Sequence, residues 1–130
     1  MSGSCGEYRG SKEYLVVYRK LIRAAQDDET MTYGDIAPIL GLRPSGHHMG
    51  VEIGKRLDEI NRDEHRQGRP MLSAVVVGSE SGIPGDGFFK LARKFGNLVG
   101  ETTEARRDFW VKEKAAVYST WRKRLRSAGC

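Results

Sequence analysis

Residues 81–89, Ser-Gly-Ile-Pro-Gly-Asp-Gly-Phe-Phe, constrain the fold of this chain more than any other stretch. Gly82, Gly85 and Gly87 with Pro84 put three glycines and a proline within six residues. Glycine takes positive φ without penalty and proline presets a turn, so the segment specifies a backbone path. Before it, residues 71–77 form an apolar run that reads as a strand, β-branched toward its end. After it, residues 88–95 read as a short helix with Phe88, Leu91, Ala92 and Phe95 facing inward.

The rest of the chain reads as helix. Residues 12–26 carry Tyr14, Val17, Tyr18, Leu21, Ile22 and Ala25 at helical spacing, with Arg19, Lys20 and Arg23 on the other face. Thr32 is a helix N-cap, and Asp35 three residues on can reach back to it. Ile36, Ile39 and Leu40 then face inward and Gly41 closes the helix, which Pro38 shortens or kinks. Ser45 can cap a longer helix to about Arg66, with Met49, Ile53, Leu57 and Ile60 as its inner stripe. Two helices joined by a short turn, over about residues 32–66, make a helix-turn-helix pattern whose second helix enters a DNA major groove. Thr102 or Thr103 caps a last helix, over about residues 103–126. Trp110, Val117 and Trp121 form one stripe of it, with Val111, Tyr118 and Leu125 beside them. The expected class is mainly α with a small β element: a winged helix-turn-helix-like domain with added N- and C-terminal helices.

A chain of 130 residues makes one domain with one modest core, placed here at residues 12–126. With 38% hydrophobic and 30% charged residues it reads as soluble, and no apolar run nears the roughly 18 residues of a membrane span. Residues 1–11 read as a flexible Gly/Ser-rich tail rather than a signal peptide. Cys5 and Cys130 lie in the terminal tails, so they read as incidental thiols of a reducing, cytoplasmic compartment rather than a disulfide. No other cysteine exists to serve thiol catalysis or a metal site. His47 and His48 are adjacent and point about 100° apart on a helix, and His65 is turns away, so neither metal nor cofactor is expected.

The charge is uneven. Residues 1–103 hold fourteen Lys/Arg and fourteen Asp/Glu, so the net charge of +5 arises from residue 104 onward. There Arg106, Arg107, Lys112, Lys114, Arg122, Lys123, Arg124 and Arg126 face only Glu104, Asp108 and Glu113. Such a segment is the footprint of a phosphate-contacting arm, although cations at a helix C-terminus also serve its dipole.

Order and residues together resemble a known family. Residues 32–95 are similar to the C-terminal DNA-binding domain of alkylguanine-DNA alkyltransferases and their catalytically inactive alkyltransferase-like relatives. The motif Tyr33-Gly34-Asp35-Ile36-Ala37 matches the family's opening Tyr-Gly, acidic residue, aliphatic and Ala. The family's helix with Arg, two residues and Gly falls on His47-His48-Met49-Gly50, and its proline-led strand starts at Pro70. Where the family carries Pro-Cys-His-Arg, this chain has Ala74-Val75-Val76-Val77, so the nucleophilic cysteine and its histidine are absent. The resemblance therefore implies binding without alkyl transfer.

The expected function is a non-enzymatic nucleic-acid-binding domain, with double-stranded DNA as partner. Its contacts would come from Tyr33, Arg43, Ser45, His47, His48, Lys55 and Arg56, from Lys90, Arg93 and Lys94, and from Arg122, Lys123, Arg124 and Arg126. Val75, Pro84, Gly85 and Phe88 would line a small pocket. Two other readings stay open: a protein-interaction module using the near-neutral second helix, and an enzyme using Glu80, Asp86 and the histidines around the loop. The loop itself reads either as a structural wing or as a phosphate- or base-contacting element.

Overall fold

A computed structural model of the chain describes residues 11–44 and 46–129, with side chains up to residue 122. Residues 1–10 of the expected flexible tail (Cys5 among them), Ser45, Cys130 and the side chains of Lys123, Arg124, Leu125 and Arg126 lie outside the described residues, whereas Ser11, expected in that tail, caps the first helix. The fold is mainly helical with one small sheet.

Helix α1 is Lys12–Gln26, capped by Ser11, whose hydroxyl accepts from the Tyr14 amide. It buries Tyr14, Val17, Leu21, Ala24 and Ala25. Strand β1, Met31–Thr32, leads into α2, Tyr33–Ile36. Thr32 caps α2 in a reciprocal box: its hydroxyl accepts from the Asp35 amide (3.2 Å), and its amide donates to the Asp35 carboxylate (3.0 Å). Pro38 sits in the first turn of a 3-10 segment, Ala37–Leu40, where a missing amide is harmless, and Gly41 ends the segment in the left-handed region. Helix α3, His47–Arg66, begins after Gly46 without a side-chain cap and buries Ile53, Leu57 and Ile60.

The expected strand at residues 71–77 is corrected. Only Val76–Val77 forms a strand, β2, and it pairs in parallel with β1 (Met31 opposite Val76, Thr32 opposite Val77). Ahead of it, Leu72–Val75 is a 3-10 turn, wholly buried. The reason lies in the backbone hydrogen bonds. Glu113 accepts from the Met71 amide (2.8 Å), Asn61 accepts from the Ser73 amide (3.1 Å), and Trp110 donates to the Ala74 carbonyl (2.8 Å). Side chains from α3 and the last helix thus satisfy groups that a sheet would otherwise pair.

Helix α4, Asp86–Lys94, starts two residues earlier than expected. It buries Phe89 as well as Phe88, Leu91 and Ala92, while Phe95 is only half-buried and stacks on His65 (3.8 Å between centroids). Helix α5, Thr103–Gly129, is capped by Thr102, whose hydroxyl accepts from the Ala105 amide. Trp110 and Val117 are buried and Trp121 is half-buried, but Val111, expected beside that stripe, is 50% exposed.

Candidate nucleic-acid interface and its cleft

A cleft of about 520 Å³ lies between α3, the glycine loop and the start of α4. Its walls include Tyr33 from α2, Gly50, Gly54, Lys55 and Asp58 from α3, Gly85 from the loop, and Gly87 and Phe88 from α4. Asn61 and Ser73 also line it, and both are buried.

The loop is built around Tyr33. Its phenol oxygen accepts from the Gly85 amide at 2.9 Å, joining α2 to the loop across 52 residues of chain. A Cβ added at Gly85 would lie 3.0 Å from that oxygen, a tight approach that would press the phenol aside by a few tenths of an ångström. Gly85 itself has φ −75° and ψ 173°, backbone that other residues also adopt. Gly82 is the loop residue that needs its freedom, at φ +72°. The Gly78 amide donates to the Ile83 carbonyl and closes the turn. Burial raises the Tyr33 hydroxyl above its ordinary value, against the opposing pull of the Gly85 amide, so the phenol keeps its proton at neutral pH. That proton has no acceptor among the described residues.

Asn61 and Ser73 form the inner end. The Asn61 amide donates to Ser73 Oγ (2.7 Å) while its carbonyl accepts from the Ser73 backbone (3.1 Å). The Ser73 hydroxyl proton likewise has no acceptor among the described residues. The cleft therefore offers two O–H donors to a group that accepts hydrogen bonds.

On α3, Gly50 and Gly54 stand one turn apart in the wall, and a Cβ on either would meet nothing within 4 Å. Helical glycine costs about 1 kcal/mol relative to alanine, and no neighbouring atom requires it at either position. What the two glycines preserve is the width of the cleft.

Of the pocket residues expected from sequence, Gly85 and Phe88 line the cleft, whereas Val75 and Pro84 are buried outside its lining. Tyr33 and Lys55 line it too. Lys55 and Arg56 both bond to Glu52, at 3.1 and 2.8 Å, and Arg56 followed by Lys55 holds that carboxyl below the usual range. Arg43, His47 and His48 are exposed around the start of α3, and Lys90 and Lys94 are exposed on α4. Arg93 instead donates to the Gly100 carbonyl (2.8 Å), and Arg122 is ion-paired with Asp28. Asp86 meets Arg106 on α5 at 3.0 Å rather than a second carboxylate.

Gly54, Asn61 and Ser73 were not singled out from sequence. The glycine pair at i, i+4 inside an otherwise strong helical pattern was the available signal; Asn61 and Ser73 carried none, since their pairing exists only in three dimensions. No helix among the described residues is long and apolar enough to cross a membrane. Comparison with family models, with curated proteins and with solved structures finds no match.

Proposed function

We propose that this chain is a non-enzymatic nucleic-acid-binding domain of winged helix-turn-helix type, which engages double-stranded DNA through the first half of α3. The cleft behind that half receives part of the bound nucleic acid. The observation that carries this reading is the pair Gly50 and Gly54: helix stability is given up at both positions and open space is kept. Departures from local propensity of this kind concentrate at functional sites.

Three further features support it. Arg43, His47, His48, Lys90 and Lys94 are exposed on the elements that border the cleft, as a polyanion requires. Tyr33 and Ser73 present O–H donors within the cleft, and Phe88 supplies an aromatic wall. Residues 32–95 resemble the alkyltransferase-like domains, and the valines at the position of the family's nucleophile are consistent with binding without transfer. One observation favours a second reading, a protein-docking face: Lys55 and Arg56 are both engaged by Glu52.

Gly54→Leu separates these ideas. Its Cβ meets open space, and leucine is the better helix former, so the variant should fill the cleft and keep or raise helix stability, while duplex affinity falls about tenfold, or ~1.4 kcal/mol. The measurement is fluorescence anisotropy with labelled duplex over a tenfold range of salt. Unchanged affinity in the variant removes the cleft from the interface. Wild-type affinity that is flat with salt removes DNA binding itself.

A further inference from the structure

We infer that the solvent face of α1 is a second phosphate-contacting surface, so that one molecule holds two segments of duplex. The inference rests on the nucleic-acid reading above but uses a different part of the molecule.

Lys12, Arg19 and Arg23 recur at i, i+7 and i+11, which places them on one face of α1. That face lies opposite the buried residues Tyr14, Val17 and Leu21. Val16, Arg19, Lys20 and Arg23 line a shallow depression of about 250 Å³ there. The stripe from Lys12 to Arg23 is about 16 Å long at 1.5 Å per residue, the axial length of roughly five phosphates on one DNA strand.

The state of these cations differs from that on α3. Lys55, Arg56, Arg62 and Arg66 each meet a carboxylate on their own helix. On α1 the one ion pair among the described residues is Arg23 with Asp27 at 3.8 Å, both well exposed, and such a pair is readily exchanged for another anion. Arg19 and Lys20 are exposed with no ion pair among the described residues. Glu13 lies at the flank of the stripe, and Asp27 with Asp28 closes its C-terminal end, Asp28 being held by Arg122.

Orientation makes the surface a second one. Tyr14 and Tyr18 on the core side of α1 hydrogen-bond to Asp63 and Glu64 of α3. The basic stripe therefore points away from α3, and no α1 residue lines the cleft. The face carries Leu15 and Val16, with the half-buried Ile22 at its edge, as apolar neighbours, without the aromatic residues that seat a helix in a bilayer or anchor a protein interface. Spaced cations without an apolar anchor fit a regular polyanion.

The test compares the full chain with the triple variant Arg19→Gln/Lys20→Gln/Arg23→Gln, its fold checked by circular dichroism. Anisotropy against salt reads the number of phosphate contacts, and energy transfer between two differently labelled duplexes reads bridging. Each lost contact lowers the salt slope by about 0.9, so the triple variant should lose about 2.7 and should no longer bring two duplexes together. A triple variant that keeps both slope and bridging overturns the inference and leaves the cleft reading standing. A wild-type chain that binds no duplex at low salt overturns both. Binding to vesicles of anionic lipid in preference to duplex, lost in the triple variant, also overturns it and assigns the stripe to membranes.

Discussion

Replacing Arg69 by Met should remove a large part of this domain's stability, and the reason is Glu64. That carboxylate is fully buried on α3 and is gripped twice by Arg69, at 2.7 Å through Nε and 2.9 Å through Nη2. Tyr18 of α1 also donates to it, and the Arg69 guanidinium lies 5.4 Å over the Trp121 ring of α5. The cluster thus ties three helices to the turn after α3. Arg69→Met leaves a buried charge uncompensated, which costs about 3–5 kcal/mol, against a total of roughly 5–15 kcal/mol for a typical domain. Urea unfolding followed by Trp fluorescence should show the midpoint drop by about 2 M at an unchanged slope. The double variant Glu64→Leu/Arg69→Met should recover half or more, because both charges leave together and the Tyr18 hydroxyl alone is stranded, at about 1 kcal/mol. At the alkaline end, Tyr18 is pushed up to about 12, first by burial and then by Glu64. Its contribution is therefore complete below its ordinary value of 10.0 and is lost as pH rises through about 12. A loss under ~1 kcal/mol for Arg69→Met, or a double variant as unstable as the sum of its parts, would refute the reasoning.

Two other outcomes are expected. Burial raises the Glu113 carboxyl even though it accepts the Met71 amide, so its contribution is full below about 4.3, the unfolded value, and falls as pH rises through the raised folded one. Glu113→Gln keeps an acceptor without the charge; thermal melts should place it above wild type at pH 7 and level with it near pH 4, and a lower melting point at pH 7 contradicts this. Tyr33→Phe strands the Gly85 amide in a partly buried position at about 1–3 kcal/mol. Hydrogen exchange at Gly85 should accelerate, and an unchanged rate shows that the loop does not depend on Tyr33.

The helices were legible because their signals are local. The apolar spacing of α1 and the Thr32–Asp35 box involve residues within a few turns of one another, and both are found as read. The glycine loop was also legible as a specified path, but not the reason for each glycine. Gly82 is needed for its φ, while Gly85 packs closely under a phenol that arrives from residue 33, a contact far away in sequence.

Residues 71–77 mark the boundary between the two kinds of information. Hydrophobicity alone determined that this run is buried, as it is throughout. Whether a buried run becomes strand or 3-10 turn depends on what meets its amides and carbonyls. Asn61, Trp110 and Glu113, from 12 to 42 residues away, meet them here. The cleft is of the same kind. The sequence by itself determined the helices and the burial of most of their apolar faces. Only the tertiary structure decided which side chains serve the buried backbone, and that Gly50 and Gly54 open onto Tyr33 and Ser73. Hydrogen bonds and empty space depend on distances between segments that local pattern does not encode.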